Sequence, residues 1–145
     1  NMATTASLTL SSSDIAGDPV SVSKLFTLTK AGTSNDLDQS SGVQRVHLRS
    51  TTQKTLLAAN AEGNDLAAKV YIINKSTDTS LYLTVSINAQ STGKLYGGDF
   101  MFIPWSQTDT SASIKIAATN WTSSTGDIPV EYALFHEDTD FLTNA

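Results

Sequence analysis

Apolar and polar residues alternate with period two through most of this chain, and no stretch sustains a helical period. Side chains in a strand point to opposite faces in turn, so such alternation reads as half-buried β-strand. The clearest case spans residues 68–88. Leu81, Leu83, Val85 and Ile87 share one face, while Tyr82, Thr84, Ser86 and Asn88 share the other. Just before them, Val70, Tyr71, Ile72 and Ile73 are apolar at every position, the mark of a central strand covered on both faces. Residues 74–80 between these runs are short, polar and turn-forming. The sequence therefore predicts one long hairpin across 68–88, around which the rest is organised.

The remaining segments follow in order. Leu8 and Leu10 alternate in a Ser/Thr-rich start, broken at Ser11-Ser12-Ser13-Asp14, so residues 1–14 are expected to form an extended N-terminal arm. After the turn at Gly17-Asp18-Pro19, Val20, Val22, Phe26 and Leu28 share a face and should begin the core strands. Lys24 interrupts that face and Leu25 sits on the polar one, which predicts a bulge near Lys24. Residues 31–42 form a polar loop. Residues 43–50 give a strand with Val46 and Leu48 inward and Arg45, His47 and Arg49 outward. A short strand is expected near 55–61, turning through 62–65.

Beyond the central hairpin, Ser91-Thr92-Gly93 and Gly97-Gly98-Asp99 predict turns. The run 100–105 ends at Pro104, which cannot donate to a ladder and so marks an edge or a strand end. Ile114 and Ile116 define another strand. Val130, Tyr132 and Leu134 define the last, with Ala133 and Phe135 opposite, before a tail at 138–145. Eight to ten short strands at roughly ten-residue spacing predict an all-β fold, a single antiparallel β-sandwich of jelly-roll or Ig-like type. The expected division is an arm at 1–14 and a sandwich domain at 15–145.

Composition sharpens this picture. The chain has 145 residues, enough for one domain, and a formal net charge of −5. Acidity argues against a nucleic-acid partner, since phosphate binders concentrate Lys and Arg, and no polybasic segment offers itself to a membrane. No apolar run approaches the length of a membrane span, and the start lacks the pattern of a signal peptide. Ser and Thr supply about a quarter of the residues, well suited to wet outer faces of strands. The chain has no Cys, so neither a disulfide framework nor a thiolate metal site can form.

Chemistry is sparse. His47 and His136, the two histidines, lie on separate predicted strands with no Gly-x-Ser-x-Gly elbow anywhere. The acidic stretches 35–38 and 137–140 lack the spacing and glycine of an EF-hand loop. Asn74-Lys75-Ser76 and Asn120-Trp121-Thr122 match the glycosylation pattern, as Ser/Thr-rich chains do by chance. Gly97-Gly98 precedes no helix and cannot cradle phosphate as a helix N-terminus does. No catalytic, cofactor or metal site is expected, and the chain reads as a non-enzyme. Tyr96, Phe100, Phe102, Trp105 and Trp121 could stack sugars, although core or interface packing is the commoner use of such residues.

Three segments resemble small bacteriophage virion proteins of the capsid-decoration (cement) type. They are Met2-Ala3-Thr4 running through Leu8-Thr9-Leu10 into Pro19-Val20-Ser21-Val22-Ser23; Ile72-Ile73-Asn74-Lys75-Ser76 with Leu81-Tyr82-Leu83-Thr84-Val85; and residues 94–105, Lys94-Leu95-Tyr96-Gly97-Gly98-Asp99-Phe100-Met101-Phe102-Ile103-Pro104-Trp105. The resemblance implies a structural protein made in the host cytoplasm and placed on the outer capsid surface. There it would bind the major capsid protein or another virion protein as a homo-oligomer, most simply a trimer. Partner-binding residues are then expected at Leu8, Leu10, Tyr96, Phe100, Phe102 and Trp105. A head–tail or tail component is the alternative within that class, and a carbohydrate-binding or adhesin module the alternative outside it.

Overall fold

In the computed structural model, residues 3–13, 17, 19–30, 32–37, 39–59, 67–106 and 112–137 are described. The alternating segments become eleven strands: β1 Thr5–Ser12, β2 Val20–Thr27, β3 Gln39–Ser40, β4 Gln44–Leu48, β5 Lys54–Leu57, β6 Ala67–Asn74, β7 Tyr82–Ile87, β8 Gln90–Tyr96, β9 Phe100–Ser106, β10 Ile114–Ala117 and β11 Ile128–His136. The turn expected at 62–65 and the tail at 138–145 lie outside the described residues.

Two sheets face each other. One runs β4-β11-β6-β9, with β3 continuing the β4 edge along β11, and the other runs β5-β10-β7-β8. The antiparallel partners are nested: β7 with β8, β6 with β9, β5 with β10, β4 with β11. It is as if one long double strand, folded at its tip, had been rolled until its two flanks closed over a core. That connectivity is the eight-stranded jelly roll, and it decides between the two sandwich types the sequence left open.

The core is what alternation promised. Val70 and Ile72, Leu83 and Val85, Ile114 and Ile116, and Val130 and Leu134 face inward from both sheets as one buried cluster. On β4, Leu48 is buried and Val46 packs on the core, while Arg45, and Arg49 just past the strand's end, reach outward to Glu131 at 2.9 Å and Asp127 at 2.7 Å. Pro104 sits in β9, an edge strand whose one sheet partner is β6.

The predicted hairpin across 68–88 does not form. β6 and β7 belong to opposite sheets, and residues 75–81 carry the chain from one to the other. The cause is Asn74, whose side chain is fully buried at the corner. Its amide nitrogen donates to the carbonyls of Leu81 (3.2 Å) and Leu95 (2.9 Å), and its amide oxygen accepts from Ser76 N–H (2.9 Å). Its backbone also pairs with the β8–β9 turn, through Asn74 N–H to Asp99 O (3.0 Å) and Gly98 N–H to Asn74 O (2.8 Å). One side chain thus binds two sheet-to-sheet passages together. Gly97 must be glycine there, since a Cβ would lie 2.7 Å from the Ser76 carbonyl oxygen.

The true local hairpin is β7–β8. Asn88 (φ 54°) and Ala89 (φ 60°) both take left-handed conformations, as a two-residue type I′ turn demands. The turn expected at Ser91-Thr92-Gly93 is instead ladder, with a register shift opposite Val85/Ser86 that leaves Thr92 as the extra residue.

The N-terminal segment also departs from expectation. β1 pairs along its whole length with β2, Thr5 opposite Thr27 through Ser12 opposite Val20, forming a separate two-stranded ribbon. The unit that stands apart is therefore both strands together, not an unpaired arm at 1–14, and the strand from Val20 is no part of the sandwich core. No bulge occurs at Lys24, because neither ribbon face is sealed and nothing forces a register change. The ribbon's base is tied down by Leu28 N–H to Thr4 O (2.9 Å), Thr4 N–H to Leu37 O (3.2 Å) and Leu37 N–H to Leu28 O (2.9 Å). Leu28 and Leu37 are buried beneath these bonds. Lys30 joins the base to the end of β11 through Glu137 at 3.0 Å.

Candidate binding surface

Register places Ala6 opposite Phe26, Leu8 opposite Lys24, Leu10 opposite Val22 and Ser12 opposite Val20 on one ribbon face. This face is apolar apart from Lys24 and Ser12; the other carries Thr5, Ser7, Thr9, Ser11 and their partners. The outer face of the β11-β6-β9 sheet is largely apolar, with Lys69 and Glu131 as its charged members. Phe102, Tyr71 and Ala133 form one row across it, and Phe100, Ile73 and Glu131 the next. Phe102 and Phe135 lie with ring centroids 6.4 Å apart in a tilted pair.

Between ribbon base and sheet face lies an open cleft of about 910 Å³, lined by Leu8, Phe26, Tyr71, Phe100, Phe102 and Phe135, with Lys69 and hydroxyl residues such as Thr4, Thr27 and Thr29 also on its walls. Packed sheets stand about 10 Å apart with interdigitated side chains; here the walls leave room. Phe100 remains 61% exposed, Phe26 47%, Leu8 39% and Phe102 39%. The exposed lining is mostly apolar. Burial raises the Tyr71 hydroxyl pKa above its usual value, and the Glu131 carboxylate adds to the rise, so the phenol stays neutral. An apolar cleft with so few convergent polar groups suits a protein surface better than a small polar ligand.

Of the six residues expected to meet a partner, Leu8, Phe100 and Phe102 converge on this cleft, and Leu10 continues the same ribbon face toward the tip. Tyr96 lies elsewhere, on the outer face of the other sheet, 5.0 Å from Tyr82, whose ring lies 4.6 Å from Lys94 Nζ. Trp105 is a correction: it points into the core, 3% exposed, and its indole N–H donates to Ala112 O at 2.7 Å. The alternation that exposes Phe100 and Phe102 must bury Trp105. With Trp121 packed against the core, the five aromatics considered as a sugar platform are spread over separate places.

Sequence reasoning missed Phe26, Tyr71 and Phe135 as lining residues. The signal was present in β6, whose all-apolar run announces that its outer face meets something.

Other motifs resolve structurally. Asn74 is spent at its corner, and Asn120 accepts from Tyr82 N–H (3.2 Å) while donating to Ser80 O (2.8 Å). His47 stands exposed on β4; His136 is buried at the end of β11, its Nδ1 2.9 Å from Glu137 O. Within 35–38, Leu37 is buried and Asn35 donates to Glu137 (3.3 Å); residues 138–140 lie outside the described residues. No cluster of three or more potential metal ligands occurs among the described residues. Comparison with family models, with curated proteins and with solved structures finds no match to this chain.

Proposed function

We propose that this chain is a virion structural protein of the capsid-decoration type, acting by surface contact on the outside of a bacteriophage head. Its partner in this reading is the major capsid protein or another virion protein, and it works as a homo-oligomer, most simply a trimer. The observation that carries the proposal is the continuous apolar surface made by the ribbon and the outer face of β9 on an otherwise hydroxyl-rich jelly roll. Large exposed apolar patches on small domains mark protein contacts. The resemblance of residues 2–23, 72–85 and 94–105 to decoration proteins supplies the virion context. Jelly rolls recur in viral capsid domains, which supports it by fold analogy, as they also recur in lectins and cupins. A net charge of −5 suits an outer surface better than one facing packaged DNA.

Co-sedimentation tests this reading. Purified protein is added to expanded heads assembled from the major capsid protein of the same phage. Saturable binding at a fixed ratio to coat subunits is expected. Protein remaining in the supernatant at every concentration overturns the proposal.

A further inference from the structure

We infer that the cleft receives the ribbon tip of a second copy of this chain, so that copies associate by laying Leu10, Val20 and Val22 over a neighbour's Phe100 and Phe102. This names the contact behind the homo-oligomer proposed above; it rests on that part of the reading and not on the virion.

Donor and acceptor are both present on one chain, and no described residue fills either. The ribbon base reaches its own cleft through Leu8 and Phe26, yet Leu10, Val20 and Val22 lie outside the lining. Leu10 is 49% exposed and Val20 46%. The base bonds at Thr4, Leu28 and Leu37 and the Lys30–Glu137 pair fix where the ribbon leaves the roll. Each two residues of strand carry the tip roughly 7 Å further out.

The area suits a second copy. With roughly 150–250 Å² per aromatic side chain and somewhat less per aliphatic one, the exposed fractions of Leu8, Leu10, Val20, Phe26, Phe100 and Phe102 sum to roughly 500 Å² of apolar surface. One side of a standard interface buries about 800 Å², and homodimer interfaces are about 65% apolar, which asks for roughly 520 Å² of apolar surface per copy.

Charge is opposite in sign at the contact itself. The residues joining β1 to β2 include Asp14 and Asp18, and the charged side chain lining the cleft is Lys69. Because tip and cleft are different surfaces, both count toward one interface only when two copies exchange tips, and the area above applies to that arrangement.

The absence of cysteine makes the test direct. Leu10→Cys and Phe100→Cys variants, prepared separately, are mixed without any capsid and treated with a short bis-maleimide. A linked dimer whose cross-linked peptide joins positions 10 and 100 is expected. Sedimentation velocity should show an oligomer for the parent chain and a monomer for the Leu10→Asp/Val22→Asp variant, with the β-sheet circular dichroism spectrum retained. A parent chain that stays monomeric, a mixture with no 10–100 link, or a double variant of parental mass each overturns the inference. Head binding is scored separately, so loss of self-association with retained binding refutes the exchange alone, and the converse refutes the decoration role alone.

Discussion

The rolled body and the ribbon are built from the same material, short strands that alternate apolar with Ser or Thr, yet they stand at opposite ends of stability. In the body every inward side chain meets a second sheet: Val70, Ile72, Leu83, Ile114, Ile128 and Val130 are all at or near zero exposure. In the ribbon the equivalent residues of β1 and β2 face a half-empty cleft or nothing, and Leu10, Val20 and Phe26 stay nearly half exposed. An isolated two-stranded ribbon is marginal in water, so this one depends on its anchored base and on whatever covers its face. Alternation makes a strand; only a facing layer makes it stable.

The largest break in that contrast is expected at the corner of the body. Asn74→Leu removes three side-chain hydrogen bonds, two to buried carbonyls and one from the half-buried Ser76 N–H, and puts no polar group in their place. A loss of about 4 kcal/mol in urea-unfolding free energy is expected, a large share of the roughly 5–15 kcal/mol that holds an ordinary domain folded.

Next comes a matched pair. Ile72→Ala should cost about 3 kcal/mol by opening a core cavity, whereas Leu10→Ala should cost less than about 0.5 kcal/mol in the monomer. Equal costs would mean that the ribbon is as well packed as the roll. Hydrogen exchange reads the contrast without mutation: ribbon amides above the base should exchange well before those of β6 and β11, which open only with the whole domain.

The smallest effect is a titration. With its folded pKa above the unfolded value of 10.0, Tyr71 gives stability that is intact below that pH and lost as pH rises through the folded value. Absorbance titration near 295 nm should find one tyrosine ionising late. Glu131→Gln should bring it only part of the way back, because burial is the larger cause.

How much of this could be read from residues follows from what alternation encodes. It tells which face of a strand is apolar, so the inward sets on β4, β10 and β11 and the exposed pair Phe100 and Phe102 were legible. It does not tell what lies across from that face. Val20, Val22 and Phe26 have the pattern of a core strand yet line a ribbon, and β6 and β7 read as a hairpin although they lie in different sheets. The deciding residue was Asn74, a polar side chain whose burial no local pattern announces. Leu8 and Leu10 were legible as apolar positions in need of a cover. Phe26 and Phe135 were not, since they lie more than a hundred residues apart in the chain, and Tyr71 was signalled only by the all-apolar run of β6.

The nested pairing has a further consequence, for the order of events during synthesis. Only β7 and β8 are neighbours in sequence as well as in the roll; their turn at Asn88-Ala89 is the natural place for the first pairing. Every outer pair must wait for a later strand, and the last is the most central. β11 holds β3, β4 and β6 in place, yet spans residues 128–136 of a 145-residue chain. The β5-β10-β7-β8 sheet can close once β10 has been made, whereas the sheet that holds β6 and β9 must wait for β11. Until then its apolar strands remain exposed to chaperones and to one another, so yield in the cell should depend on translation rate and temperature more than final stability suggests.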